Sequence, residues 1–216
     1  MTETARRIFT EGVRLRWVLL AGTLVSLPAL RLGFVIDDYF HVWLLERGGL
    51  PAALELFTFS DGDPIANALR REEGPYPWWT LDDLRLRFLR PLSGITHWLD
   101  HRVFGRTTWP MHLHSIAWHL GLVAVAAAVF RRLLPVGVAG LAALLFAVDD
   151  AHALPVMWLA NRNALVALVP GFAGLLAHLP WREHGWTPGA WLVPPLLALG
   201  LAAGEPALGA FAYLGA

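Results

Sequence analysis

The segment "WVLLAGTLVSLPALRLGFVIDDYFHVW" (residues 17–43) runs twenty largely apolar positions and then meets two aspartates, a tyrosine and a histidine. An apolar run of about twenty residues matches the thickness of a bilayer core. The acids that follow it, Asp37 and Asp38, stand among Tyr39, Phe40 and Trp43. An ordinary solvated loop has no reason to hold acids and aromatics together in this way. Aromatic neighbours that bury a carboxylate raise its pKa, which suits a general base. Read as the end of the first span, the two acids oppose the macrodipole there, which prefers cations.

The rest of the chain repeats the apolar theme. Its 216 residues are 56% hydrophobic, with a mean hydropathy of +0.49. The apolar residues gather in blocks near bilayer length, at about 17–36, 110–130, 133–148, 156–177 and 190–203, and another begins after Glu205. This pattern predicts an all-α polytopic transmembrane bundle of about five to six spans. The last run breaks off within an apolar stretch, so residues 1–216 are read as the N-terminal part of a longer protein. Net charge is zero, which argues against a nucleic-acid partner. All 17 basic residues are Arg, and there is no Cys to form a disulfide or a thiolate metal site.

Arginine bias sets the expected orientation. Arg6, Arg7, Arg14 and Arg16 precede the first run, Arg131 and Arg132 close the second, and Arg182 follows the fourth. The positive-inside rule makes these ends cytoplasmic, giving a multi-pass cell-membrane protein with its N-terminus inside. Residues 37–109 then form one outer-face loop, and Asp149 and Asp150 share that face. Within the loop, residues 39–57 read as an interfacial helix broken at Gly48–Gly49, and residues 81–105 as two helical pieces broken at Pro91. Asp82 or Asp83 is placed to cap the first of these pieces. "FSDGDP" is turn chemistry, and Trp78 and Trp79 suit a membrane interface.

Two further stretches matter: "FLRPLSGITHWLDHRVFG" (88–105) and "HALPVMWLANRN" (152–163). Together with the acid pair after the first span, they resemble the GT-C superfamily of membrane glycosyltransferases. The closer likeness is to its protein O-mannosyltransferase-like branch, which includes the transmembrane–tetratricopeptide proteins. That resemblance implies an inverting transfer of sugar from a polyprenyl-phosphate donor, a membrane-lipid partner, to an outer-face acceptor. It makes Asp37 the general base and Asp38 the second acid of the pair. Arg90 matches the Arg of the family's "RPL" segment. Arg162 matches the Arg implied to contact donor phosphate, and His152 and Trp158 match the His and Trp before it. The Glu of that last segment is Leu154 here, so a second acidic role passes to Asp149 or Asp150. Glu205 falls where the family often has "KE", with Gly204 replacing the Lys.

Arg162 carries weight without the resemblance. A charge opening a long apolar segment is expensive, and Arg grips phosphate as a fork. Its plainer reading is snorkelling to headgroups. His41, His112 and His152, with His114, His119 and Asp37, are candidate ligands for a divalent metal such as zinc or manganese. Hydrogen bonding at the interface is the plainer reading of these histidines. The rival function is a non-catalytic membrane protein that binds or moves a lipid-linked sugar.

Overall fold

The computed structural model describes residues 13–74 and 76–215. Arg6 and Arg7 lie outside the described residues. The described residues are mainly helical: α1 (Leu15–Ser26), α2 (Asp37–Leu54), α3 (Pro64–Glu72), α4 (Pro91–Phe104), α5 (Thr108–Leu133), α6 (Val136–Val148), α7 (Ala153–Met157), α8 (Asn163–His184), α9 (Thr187–Ala203) and α10 (Leu208–Ala212). Short 3-10 turns occur at Leu27–Arg31, Asp150–His152, Leu159–Arg162, Glu205–Ala207 and Tyr213–Gly215.

Among the described residues, two helical stretches are long and apolar enough to cross a membrane: Thr108–Leu133, and Leu159–His184, in which a 3-10 turn leads into α8. A third crossing is available if α6 and the segment Asp150–Met157, bent by 44°, act as one broken span. The first apolar run does not form a single helix. α1 has twelve residues, about 18 Å at 1.5 Å per residue, and the 3-10 turn Leu27–Arg31, with Pro28 second in it, follows. Val18, Gly22 and Ser26 form its buried stripe, four residues apart. Val18 packs with Val123 and Ala127 of α5 and Ala143 and Ala147 of α6. Its opposite face exposes Trp17, Leu20 and Leu24, α6 exposes Val138, Leu141 and Leu145, and α9 exposes Trp191, Leu192 and Leu199. So much large apolar surface is costly in water and is natural against lipid.

Two details differ from expectation. Because α1 ends early and Leu32 is extended, Asp37 and Asp38 open α2 instead of ending a helix. They sit in its first turn, where the macrodipole favours acids. Second, residues 85–87 form a strand, β2 (Arg85–Arg87), antiparallel to β1 (Thr58–Asp61). Leu84, Leu86 and Phe88 alternate with Arg85 and Arg87, a period of two that a helix cannot use. Asp82 therefore caps nothing and pairs with Arg71 at 2.5 Å. The capping acid is Asp63, whose carboxylate accepts from the N–H groups of Ile65 and Ala66 at the start of α3.

The expected breaks at Gly49 and Pro91 are present. Gly49 has φ 57°, open to glycine and strained for other residues, and it kinks α2. Pro91 starts α4, where its missing N–H costs nothing. α2 and α4 then pack so closely that a side chain at Gly94 would collide with the Ala53 carbonyl. Arg106, two residues beyond the end of α4, adds a two-pronged bond to Glu46 of α2 at 2.7 and 2.8 Å.

Candidate functional site

The acid pair is divided by its own helix. Successive helical residues turn about 100°, so two neighbours cannot enter one pocket. Asp38 is the buried member. Its Oδ2 accepts from the Val35 N–H at 2.9 Å, and its Oδ1 accepts from the Ala160 N–H at 2.7 Å. Burial raises its pKa, while those two backbone donors pull it down. Oδ2 thus closes the entry of α2 on the residues just before it, and Oδ1 holds that entry against the turn that precedes α8. Ile36, just before the pair, has φ 44° and ψ −107°, strained for a β-branched residue. Such strain costs on the order of 1–3 kcal/mol and persists where surrounding bonds enforce it.

Asp37 faces the other way, half-buried, into a cleft of about 150 Å³. Burial raises its pKa above the usual carboxylate value. Phe57, Phe59 and Phe88 supply an apolar wall, and Arg90, Trp158, Asn161 and Asn163 supply polar groups. The Trp158 indole N–H is buried with no partner among the described residues. Arg90 stacks over Phe88 and Phe57, at 4.4 and 5.1 Å from the ring centres. Its Nε and Nη2 both reach Glu205 Oε2, at 2.9 and 2.7 Å.

The parts of this cleft come from distant sequence and are cross-braced. Arg90 precedes the first turn of α4, and Ser93 one turn later donates to the Ala203 carbonyl at 2.7 Å. That bond, with Gly204 lying against Asn163, brings Glu205 beside Arg90. Asp38 fixes the 158–163 segment through Ala160.

Arg162 takes another place. It is fully buried and donates to Asp100 Oδ2 at 2.5 Å, to the Met111 carbonyl at 3.2 Å and toward His97 Nδ1 at 3.3 Å. The other Asp100 oxygen meets His114 Nδ1 at 2.7 Å, and His114 Nε2 accepts from the Trp118 indole at 2.8 Å. Arg162 is thus neither a snorkelling residue nor a lining of the Asp37 cleft. It is the centre of a buried ionic network. Asp100, inside "THWLDHRVF", is the residue that sequence reasoning missed. Its one legible signal is position: Asp100 and His97 lie three apart, on one face of a helix.

Asp149, Asp150 and His152 also gather elsewhere. They line a separate hollow of about 100 Å³ with Ser26, His119 and Val25. His119 Nδ1 lies 3.1 Å from the Ser26 hydroxyl, and its ring centre is 5.1 Å from that of His152. His119 is eleven residues into α5, about 16 Å along its axis from Thr108. The acid pair therefore interrupts a bent helical pair instead of joining Asp37.

The metal candidates are equally dispersed. His41 is buried edge-on to His97, ring centres 5.2 Å apart, and burial with the nearby Arg162 and Arg90 charges pushes its pKa down to about 3. It is a neutral imidazole. His112 Nδ1 lies 3.4 Å from the Val156 carbonyl, and His152 packs on Phe146. Among the described residues, no three His, Asp or Glu side chains assemble as a metal requires.

Compared with known proteins, the chain matches no family model, no curated protein and no solved structure.

Proposed function

We propose that the chain is a membrane glycosyltransferase of GT-C type, moving a sugar from a polyprenyl-phosphate donor to an acceptor hydroxyl on the outer face. The observation that carries this reading is the pairing, in one cleft, of a half-buried carboxyl of raised pKa with an arginine held on aromatic rings. Asp37 takes the proton of the acceptor hydroxyl as that oxygen attacks the anomeric carbon. The bond to the donor phosphate breaks, and the configuration inverts. Arg90 meets the charge that develops on the departing phosphate, the kind of stabilisation that dominates many enzymatic rate gains. Trp158 and Asn161 offer hydrogen bonds for sugar oxygens, and Phe57, Phe59 and Phe88 keep water from the carboxyl.

In this reading the donor-phosphate role passes from Arg162 to Arg90, because Arg162 is occupied by Asp100. Asp38 and the Arg162–Asp100 pair hold the cleft in shape. α1 with its 3-10 turn and α9 join the longer helices as spans, giving five crossings with the arginine-rich helix ends in the cytoplasm. Membranes containing the protein should transfer radiolabelled sugar from a polyprenyl-phosphate donor. Membranes containing Asp37→Asn should bind that donor and not turn it over. Normal turnover by Asp37→Asn would move the protein to the rival reading, in which it binds or carries the lipid-linked sugar.

A further inference from the structure

The bond between Arg90 and Glu205 is one-sided. Two guanidinium nitrogens converge on a single oxygen, Oε2, instead of forming a parallel two-oxygen fork. The partners also differ in setting. The Arg90 side chain is 17% exposed and pinned on Phe57 and Phe88, whereas that of Glu205 is 46% exposed. Glu205 stands in a 3-10 turn directly after Gly204, at the very end of α9. The cation is held against two rings, and the anion on it is half-exposed to water. An anion that offers several oxygens in fork geometry is a better partner for a guanidinium than this carboxylate.

We infer that Glu205 is a built-in stand-in for the phosphate of the ligand. It occupies Arg90 while the cleft is empty and swings out when a phosphate arrives. This deepens the transferase reading and rests on it for the identity of the ligand. The stand-in also explains why a charged arginine can sit on aromatic rings before any donor binds: its charge is never left without a counter-ion. Because Glu205 begins the segment that leads to α10, its release links ligand arrival to the position of the residues after α9.

The test is direct binding by the detergent-solubilised protein. Radiolabelled farnesyl monophosphate is the lipid-headgroup probe, with inorganic phosphate and uncharged farnesol in parallel arms. Glu205→Gln removes the competing anion and keeps its size. It should tighten farnesyl phosphate binding by about fivefold, the scale of a half-exposed ion pair, with no change for farnesol. Arg90→Gln should weaken phosphate binding and erase the gain in the double variant. An equal gain for inorganic phosphate supports displacement with free phosphate as the source; a gain confined to farnesyl phosphate supports a lipid headgroup. Unchanged or weaker binding by Glu205→Gln overturns the stand-in, as does an equal gain for farnesol. Glu205 is half-exposed, and a thermal melt of Glu205→Gln beside the parent identifies the folded protein on which binding is read. Sugar transfer is a separate readout: a failed stand-in leaves the role of Asp37 standing, and a failed transferase leaves the binding result standing.

Discussion

Arg162 Nη1 lies 2.5 Å from Asp100 Oδ2, with both side chains buried where α4 meets the turn before α8. Taking two charges out of water is costly, and removing one partner strands the other. Asp100→Asn should therefore destabilise the protein by about 3–5 kcal/mol, measured by denaturant unfolding in detergent. A loss below about 1 kcal/mol would mean that Arg162 has another counter-ion.

Asp38 should act through the fold. Its two oxygens each accept a backbone N–H, from Val35 and Ala160. An amide has one oxygen, so Asp38→Asn turns an N–H toward one of these donors and costs about 1–3 kcal/mol. Lowered thermal stability with the residual activity of the folded fraction intact is the expected result. Full stability with lost turnover would place Asp38 in the chemistry.

How much of this was legible in the sequence divides along physical lines. Apolar blocks, the Gly49 kink and the Pro91 helix start could be read because each is a local signal that needs no partner. The strand at Arg85–Arg87 was also local, written in the Leu–Arg alternation, but the helical reading of its neighbours overrode it. The fate of Arg162 was not legible. Its partners Asp100, Met111 and His97 are 51 to 65 residues away, and only packing decides whether a charge near the bilayer faces lipid, ligand or a buried acid. The early end of α1 likewise moved Asp37 and Asp38 from one helix end to another, reversing the sign of the dipole argument.

The raised pKa of Asp37 gives a pH signature. A carboxyl raised on folding adds stability below its ordinary value of 3.8, and that contribution is lost as pH rises through the higher, folded-state value. Asp37→Asn removes an ionised group the cleft disfavours. It should melt higher than the parent at pH 7, and the gap should close below pH 3.8. A variant that melts lower at pH 7 and equals the parent in acid would show that the ionised carboxylate is stabilised in the fold.

Orientation can be read by thiol labelling, since the chain has no Cys to give background. Asp83→Cys and His184→Cys are exposed positions on the long loop and at the end of α8. An impermeant thiol reagent on intact cells should label the first and spare the second. The reverse pattern, or equal labelling, would overturn an outer-face cleft.

The most direct measurement is the single-turnover rate of sugar transfer from a polyprenyl-phosphate donor in proteoliposomes, comparing the parent with Asp37→Asn. Replacing a general base by its amide keeps size and removes proton acceptance, with a typical cost of about 10²–10⁴ in rate. A loss of that order with donor binding retained is the expected result. Transfer by Asp37→Asn within about twofold of the parent would contradict it, since no proton acceptor at this position would then be needed.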